Sequence, residues 1–178
     1  MKFCPQCGNK TVSLIPEGDN RVRDVCDSCD LIHYQNPRII AGCIPVWEDK
    51  VLLCQRAIHP QKGFWTLPAG FMENAETLQA GALRETMEET CSEAKIIMPY
   101  TMFSLPHINQ VHLFYLADLL DENFGPTSES MEVKLFSKDE ILWNELAFPT
   151  VERTLKYYIE DSENNDFIFR EEDITLWK

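Results

Sequence analysis

Positive charge is scarce in this chain: 16 lysines and arginines face 29 aspartates and glutamates, for a formal net charge of −13 over 178 residues. Such a balance works against broad association with nucleic acid or with an anionic membrane. No apolar run reaches the ~20 residues that a transmembrane helix needs. No signal or transit peptide is expected, because a cysteine motif begins at residue 4. Together these absences predict a cytoplasmic protein. Internal repeats, low-complexity segments and a helix-turn-helix appendage are missing as well. The seven cysteines are an odd number in such a chain, which favours metal ligation over a disulfide framework. What remains is 44% hydrophobic residues and enough length for one domain with a small appendage.

That appendage is predicted at residues 1–35. Cys4-Pro5-Gln6-Cys7 and Cys26-Asp27-Ser28-Cys29 have the spacing of a zinc ribbon, in which two tight knuckles supply four thiolates to a tetrahedral Zn²⁺. So short a segment buries too little apolar surface to fold alone, so the metal would serve as its core. A redox pair and a catalytic zinc are the competing readings. Four matched ligands leave no open position, which favours a closed structural site. His33 is surplus to it. Ribbons also occur in nucleic-acid-binding proteins, but here Glu17, Asp19, Asp24, Asp27 and Asp30 outweigh Lys10, Arg21 and Arg23.

Residues 36–178 form the second predicted domain. Ile39 to Trp47 and Val51 to Gln55 read as a hairpin joined through Glu48-Asp49-Lys50, with Cys43 and Cys54 as buried small hydrophobes. Further strands are expected over Glu93 to Ser104, Gln110 to Leu119 and Val133 to Phe136. Ser137-Lys138-Asp139-Glu140 is a capping box for a short helix. Pro149 opens a last helix with Val151, Leu155, Tyr158 and Ile159 on one face. Phe167-Ile168-Phe169 is a candidate edge strand or dimer contact.

Between these strands, Gly70 to Ser92 holds Glu76, Glu85, Glu88 and Glu89. At the helical ~100° per residue, Glu85, Glu88 and Glu89 converge on one side. Leu83 and Met87 project to the opposite side, which is expected to pack, while Leu78 and Ala82 share the carboxylate side. Clustered like charges destabilise a helix, so the cluster needs a cation that Arg84 alone does not supply. Hard carboxylate oxygens suit Mg²⁺ or Mn²⁺.

The segment resembles the signature of the Nudix hydrolases, G-x5-E-x7-R-E-U-x-E-E-x-G-U, where U is bulky and apolar. Gly70, Glu76, Arg84, Glu85, Glu88 and Glu89 match it. Thr86, Cys91 and Ser92 depart from it, and Cys91 puts the helix C-terminal turn in question, since glycine there accepts positive φ at no steric cost. The resemblance implies a MutT-like α/β/α sandwich with a mixed sheet. It also implies catalysis by Glu85, Glu88 and Glu89 around Mg²⁺ or Mn²⁺, with Arg84 and Glu76 as orienting groups. Gly70 would approach the substrate phosphates closely. Arg56 is a candidate phosphate ligand, or simply a surface arginine ending a strand.

On the later loop, Glu129 and Glu132 are candidates to complete the metal site or act as general base, with Glu85 as the alternative base. Gln110 and His112 are possible base or ribose contacts; a lone strand histidine is otherwise merely packed. The NADH diphosphatases carry a serine-glutamine-proline-tryptophan run where this chain has Ser104-Leu105-Pro106-His107-Ile108-Asn109-Gln110. Over nearly its full length the chain resembles the plant plastid FAD/ADP-ribose diphosphatases, which also carry a ribbon. The expected reaction is hydrolysis of the pyrophosphate in FAD or ADP-ribose with release of AMP, in a homodimer. NADH or another dinucleotide is the alternative substrate, and a non-catalytic ligand-sensing regulator the alternative class.

Overall fold

In the computed structural model, which describes residues 1–175, the chain divides into Met1–Asn36 and Pro37–Lys178. The first unit is a three-stranded antiparallel sheet of β1 (Thr11–Leu14), β2 (Arg23–Cys26) and β3 (Ile32–His33). Only Cys4, Pro16 and Cys26 of this unit are buried, which is too little apolar surface for a core. The cysteines take that place.

The second unit is built on a mixed sheet. Strands β4 (Arg38–Trp47) and β5 (Lys50–Arg56) form the expected hairpin around Glu48 and Asp49, but their pairing is confined to Val46↔Val51 and Trp47↔Lys50. The chain returns through two short strands, β6 (Trp65–Thr66) beside β5 and β7 (Ala69–Phe71) beside the first half of β4. Helix α1 (Leu78–Thr90) follows, then β8 (Ala94–Leu105), β9 (Gln110–Leu119), β10 (Ser130–Phe136), helix α2 (Pro149–Asn164) and β11 (Arg170–Asp173). The strand order is β10-β5-β4-β9-β8-β11, with β4–β9 and β8–β11 parallel.

Alternation along the central strands sorts side chains onto the two faces. Leu113, Tyr115 and Ala117 of β9 join Ala41 and Cys43 of β4 beneath Ala82 of α1. Phe114 and Leu116 point the other way and join Ile44, Val151, Leu155 and Tyr158 beneath α2. A helix therefore covers each face, giving the expected α/β/α layering. No helix among the described residues is long and apolar enough to cross a membrane.

Two expectations are corrected. The buried stripe of α1 is Gly81, Ala82, Thr86, Glu89 and Thr90, while Met87 is 40% exposed. Small residues on the carboxylate side let the helix press close against β4, and a bulky Met87 side chain has no room there. The C-terminal edge strand starts at Arg170 and lies after the aromatic run. Phe167 instead turns inward, its ring 6.0 Å from that of Tyr158 and 6.3 Å from that of Tyr100. Arg170 then anchors β11 by donating to both Asp161 oxygens at 2.6 Å, and Tyr100 donates to the same carboxylate from below.

Candidate active site

Thr77 opens α1 by accepting from the Ala80 N–H at 3.1 Å, as an N-cap should. The helix closes on Cys91 in the left-handed region at φ 57°, with its N–H donating to Met87 O. The turn therefore forms without glycine. Where the signature calls for bulky residues, Thr86 and Ser92 are both fully buried. Thr86 donates to Ala82 O at 2.8 Å, and the Ser92 hydroxyl pairs with that of Thr90 at 2.6 Å.

Arg84 is the hub of the acidic cluster. Its Nη1 donates to Glu85 Oε1 and to Glu88 Oε2, both at 2.8 Å. Its Nε and Nη2 grip the Glu76 carboxylate at 3.1 and 2.9 Å, and Nη2 reaches Phe71 O. Glu76 Oε1 also accepts the Glu73 N–H, so the loop from β7 to α1 is tied to the helix through one guanidinium. The Arg84 hydrogen bonds hold the Glu76 carboxyl below its ordinary range. Burial pushes Glu85 up despite the same partner. Gly70 lies directly against Glu85: a Cβ there would stand 2.2 Å from the carboxyl carbon. Gly42 is required for a similar reason, since a Cβ would meet Pro68 O at 2.5 Å.

Glu89 turns inward from this hub. It is only 6% exposed, and its Oε2 accepts the Ala69 N–H at 3.0 Å and a longer contact from the Cys54 thiol at 3.8 Å. Burial pushes its carboxyl up to about 7. The exposed Glu129 adds repulsion at both Glu85 and Glu89, and Arg56 adds attraction at Glu89. Glu129 and Arg56 thus belong to the same locality. Glu132 is exposed beyond the bulge in β10, opposite Gln55, and stands outside this hydrogen-bond network.

Three carboxylates on one guanidinium, with a fourth buried beneath and a fifth beside, leave an excess of negative charge. The hard oxygens of Glu85, Glu88 and Glu89 suit Mg²⁺ or Mn²⁺ in charge and type, but among the described residues only the four cysteines bring three or more ligand atoms within 4.8 Å of one another. The cysteine cluster passes a stricter test. Its four Sγ atoms lie within 4.8 Å of one another, with separations of 3.4, 3.6 and 3.8 Å among them. Tetrahedral Zn–S bonds of ~2.3 Å set sulfurs roughly 3.8 Å apart. Cys4, Cys7, Cys26 and Cys29 are therefore arranged to hold Zn²⁺ with no position left open.

On the α2 face, beside Ala69, lies a cavity of about 400 Å³. Arg56, Phe71, Gln110, His112, Phe148 and Thr150 are among the residues that line it. Arg56 donates Nε to Pro60 O at 2.8 Å, and its guanidinium stands 5.1 Å over the Phe148 ring. His112 is packed, as a lone strand histidine often is, yet it also forms part of the cavity wall. Phe148 and Thr150 were illegible as wall residues, because the sequence marks them only as the start of α2. Cys54 was legible as buried; its contact with Glu89 depends on a strand pairing that the sequence does not specify.

Residues 2–35 match the family model described as Nudix N-terminal, and residues 36–158 match that of the NUDIX domain. A crystal structure of a NUDIX hydrolase from Nitrosomonas europaea superposes over 99% of this chain and 100% of its own, at 52% identity and a TM-score of 0.96. An NAD-capped RNA hydrolase of Vibrio vulnificus is 33% identical over 145 residues, covering 79% of this chain and 52% of its own. An ADP-ribose pyrophosphatase of Methanocaldococcus jannaschii is 26% identical over 132 residues, covering 71% of this chain and 75% of its own. The chain spans about half the length of the Vibrio relative.

Proposed function

Because this chain belongs to the Nudix hydrolases, we propose that it cleaves the diphosphate of a nucleoside diphosphate linked to another group, with ADP-ribose and FAD as preferred substrates and AMP as a product. The observation that carries this reading is the position of Arg56. It lines the aromatic cavity, and its charge reaches Glu89. One guanidinium on the cavity wall thus also attracts the Glu89 charge, an arrangement suited to a base joined to a diphosphate.

In this mechanism the base enters the cavity and Arg56 takes a phosphate oxygen. Glu85, Glu88 and Glu89 would hold Mg²⁺ or Mn²⁺, which when bound supplies neutralisation of the diphosphate charge. Arg84 keeps Glu85 and Glu88 in place and ties them through Glu76 to the loop carrying Gly70. The absence of a side chain at Gly70 makes room for the Glu85 carboxylate. Glu129 accepts the proton of the attacking water: its carboxylate has no hydrogen-bond partner among the described residues, whereas Glu85 is engaged by Arg84. The four cysteines hold a structural Zn²⁺.

The name of the Vibrio relative favours a second reading, hydrolysis of an NAD-type dinucleotide or of an NAD cap on RNA. The acidic balance of the chain weighs against RNA. An initial-rate panel with Mg²⁺ and with Mn²⁺ over ADP-ribose, FAD, NADH, NAD-capped RNA, CoA and a nucleoside triphosphate separates these readings. Release of AMP that is fastest from ADP-ribose or FAD supports the first. Faster turnover of NADH or capped RNA selects the second, and background rates on every member would remove the catalytic assignment.

A further inference from the structure

The cavity wall carries a polar chain that the reaction above leaves unused, buried at His112 and Thr150 and half-buried at Gln110. His112 is 6% exposed. Its Nε2 lies 2.9 Å from Gln110 Oε1 and its Nδ1 3.3 Å from Thr150 Oγ1. Burial pushes the imidazole pKa down to about 4, so the ring is neutral and carries a single N–H. The carbonyl oxygen of Gln110 only accepts, so that N–H belongs on Nε2, and Nδ1 accepts from the Thr150 hydroxyl. The consequence falls on Gln110. Its carbonyl is occupied, while its amide nitrogen has no hydrogen-bond partner among the described residues. Gln110 lines the cavity, and its two amide N–H donors are unengaged among the described residues.

The surrounding rings fit a planar guest. Arg38 stands 5.0 Å over Phe71, and Arg56 stands 5.1 Å over Phe148. With Arg38 on one face, the Phe71 ring keeps its other face for stacking. We propose that Gln110 is a specificity-determining residue, held with its amide donors toward the cavity by the His112–Thr150 pair. It would thereby select a planar heterocycle that offers a hydrogen-bond acceptor, a ring nitrogen or a carbonyl, at the edge it meets. The inference rests on the proposed function for placing a nucleoside base in this cavity. Discrimination follows because a guest without that acceptor leaves buried donors unpaired.

The test uses full-length, metal-loaded protein and binding of AMP, compared by calorimetry with its 1-deaza, 3-deaza and 7-deaza analogues, each of which replaces one ring acceptor by C–H. Wild type is expected to lose about tenfold in affinity for one of the three. Gln110→Met keeps the length and removes the donors. It should bind AMP about tenfold more weakly, treat all four ligands alike, and raise KM with kcat within about twofold. Thr150→Ser should behave as wild type, and Thr150→Val should relax the discrimination by freeing the histidine tautomer. Nitrogen-15 NMR of the imidazole should find the proton on Nε2. A proton on Nδ1, equal wild-type affinity for all four ligands, or discrimination that survives in Gln110→Met would overturn the proposal. If the enzyme hydrolyses ADP-ribose but Gln110→Met changes nothing, this inference alone falls. If wild type neither binds AMP nor hydrolyses any panel member, the proposed function falls with it.

Discussion

Ala69 donates its backbone N–H to Glu89 Oε2 at 3.0 Å, and the same residue forms part of the wall of the α2-side cavity. One peptide unit of β7 therefore joins the two halves of the site across the sheet. Glu89 comes from the helix on one face, and the cavity opens on the other. Gly42 makes this possible, because any side chain there would collide with Pro68 and Ala69. The site is thus a property of a close strand crossing as much as of the acidic helix.

Glu89→Gln should abolish hydrolysis while leaving the fold intact. The amide oxygen still accepts from Ala69, but the buried negative charge is gone. A fall in kcat/KM of about 10³ or more is expected, the loss typical when a group in direct contact with the reacting charge is removed. The melting temperature of the metal-free protein should not fall, since a charge held at 6% exposure costs stability. Retention of more than a tenth of wild-type activity would place Glu89 outside the chemistry.

The strands were legible as apolar runs and α2 by its helical period, whereas the α/β/α layering was legible only through the resemblance carried by the Gly70–Ser92 signature. The signature helix was legible in its carboxylates but not in its packing side. Glu89 and Thr86 look polar in sequence and are buried in the structure, because Gly70, Gly81 and Ala82 allow an approach too close for Met87. The wall residues Phe71, Phe148 and Thr150 were invisible as a group. They come from β7 and the start of α2, and only tertiary pairing brings them to His112 on β9.

The two later-loop acids should separate cleanly. Glu129 is close enough to raise the Glu85 and Glu89 carboxyls, whereas Glu132 is solvent-exposed past the β10 bulge. Glu129→Gln should lower kcat by about 10²-fold or more with KM little changed, as expected for loss of a general base. Glu132→Gln should stay within about twofold. Steady-state kinetics on ADP-ribose at fixed Mg²⁺ decides it, and the reverse order of effects would reassign the base.

Zinc removal should unfold Met1–Asn36 selectively. The purified protein should contain one zinc per chain, bound by Cys4, Cys7, Cys26 and Cys29. A strong chelator or Cys26→Ser should make the first unit sensitive to protease, because so little else is buried in it. Residues from Pro37 onward keep their own core and should survive as a resistant fragment. Protease resistance of both units after complete zinc loss would show that the metal is not the core of the first.

His112 predicts part of the acid lability. Its folded pKa, lowered by burial to about 4, lies below the ordinary value near 6.5. The unfolded chain therefore binds a proton first as pH falls. Stability associated with the neutral ring is fully present above pH ~6.5 and is lost between there and about 4, by at most about 3 kcal/mol. Denaturant titrations of wild type and His112→Gln should converge as pH drops through this window. Parallel stability curves would mean that His112 titrates normally in the folded protein.

Cys91 offers a route to a more stable protein. It ends α1 at φ 57°, a conformation that costs a side-chain-bearing residue roughly 1–2 kcal/mol and costs glycine nothing sterically. The thiol is exposed, so its removal forfeits little packing. Part of the gain is offset by the greater freedom of glycine in the unfolded chain. Cys91→Gly should therefore stabilise the protein by about 1 kcal/mol, raising the melting temperature by about 2–4 °C in a chain of this size. Cys91→Ala supplies the control, because it removes the thiol and keeps the Cβ, so it should leave the melting temperature nearly unchanged. Equal stabilisation by both variants would assign the effect to loss of the thiol and not to relief of the backbone.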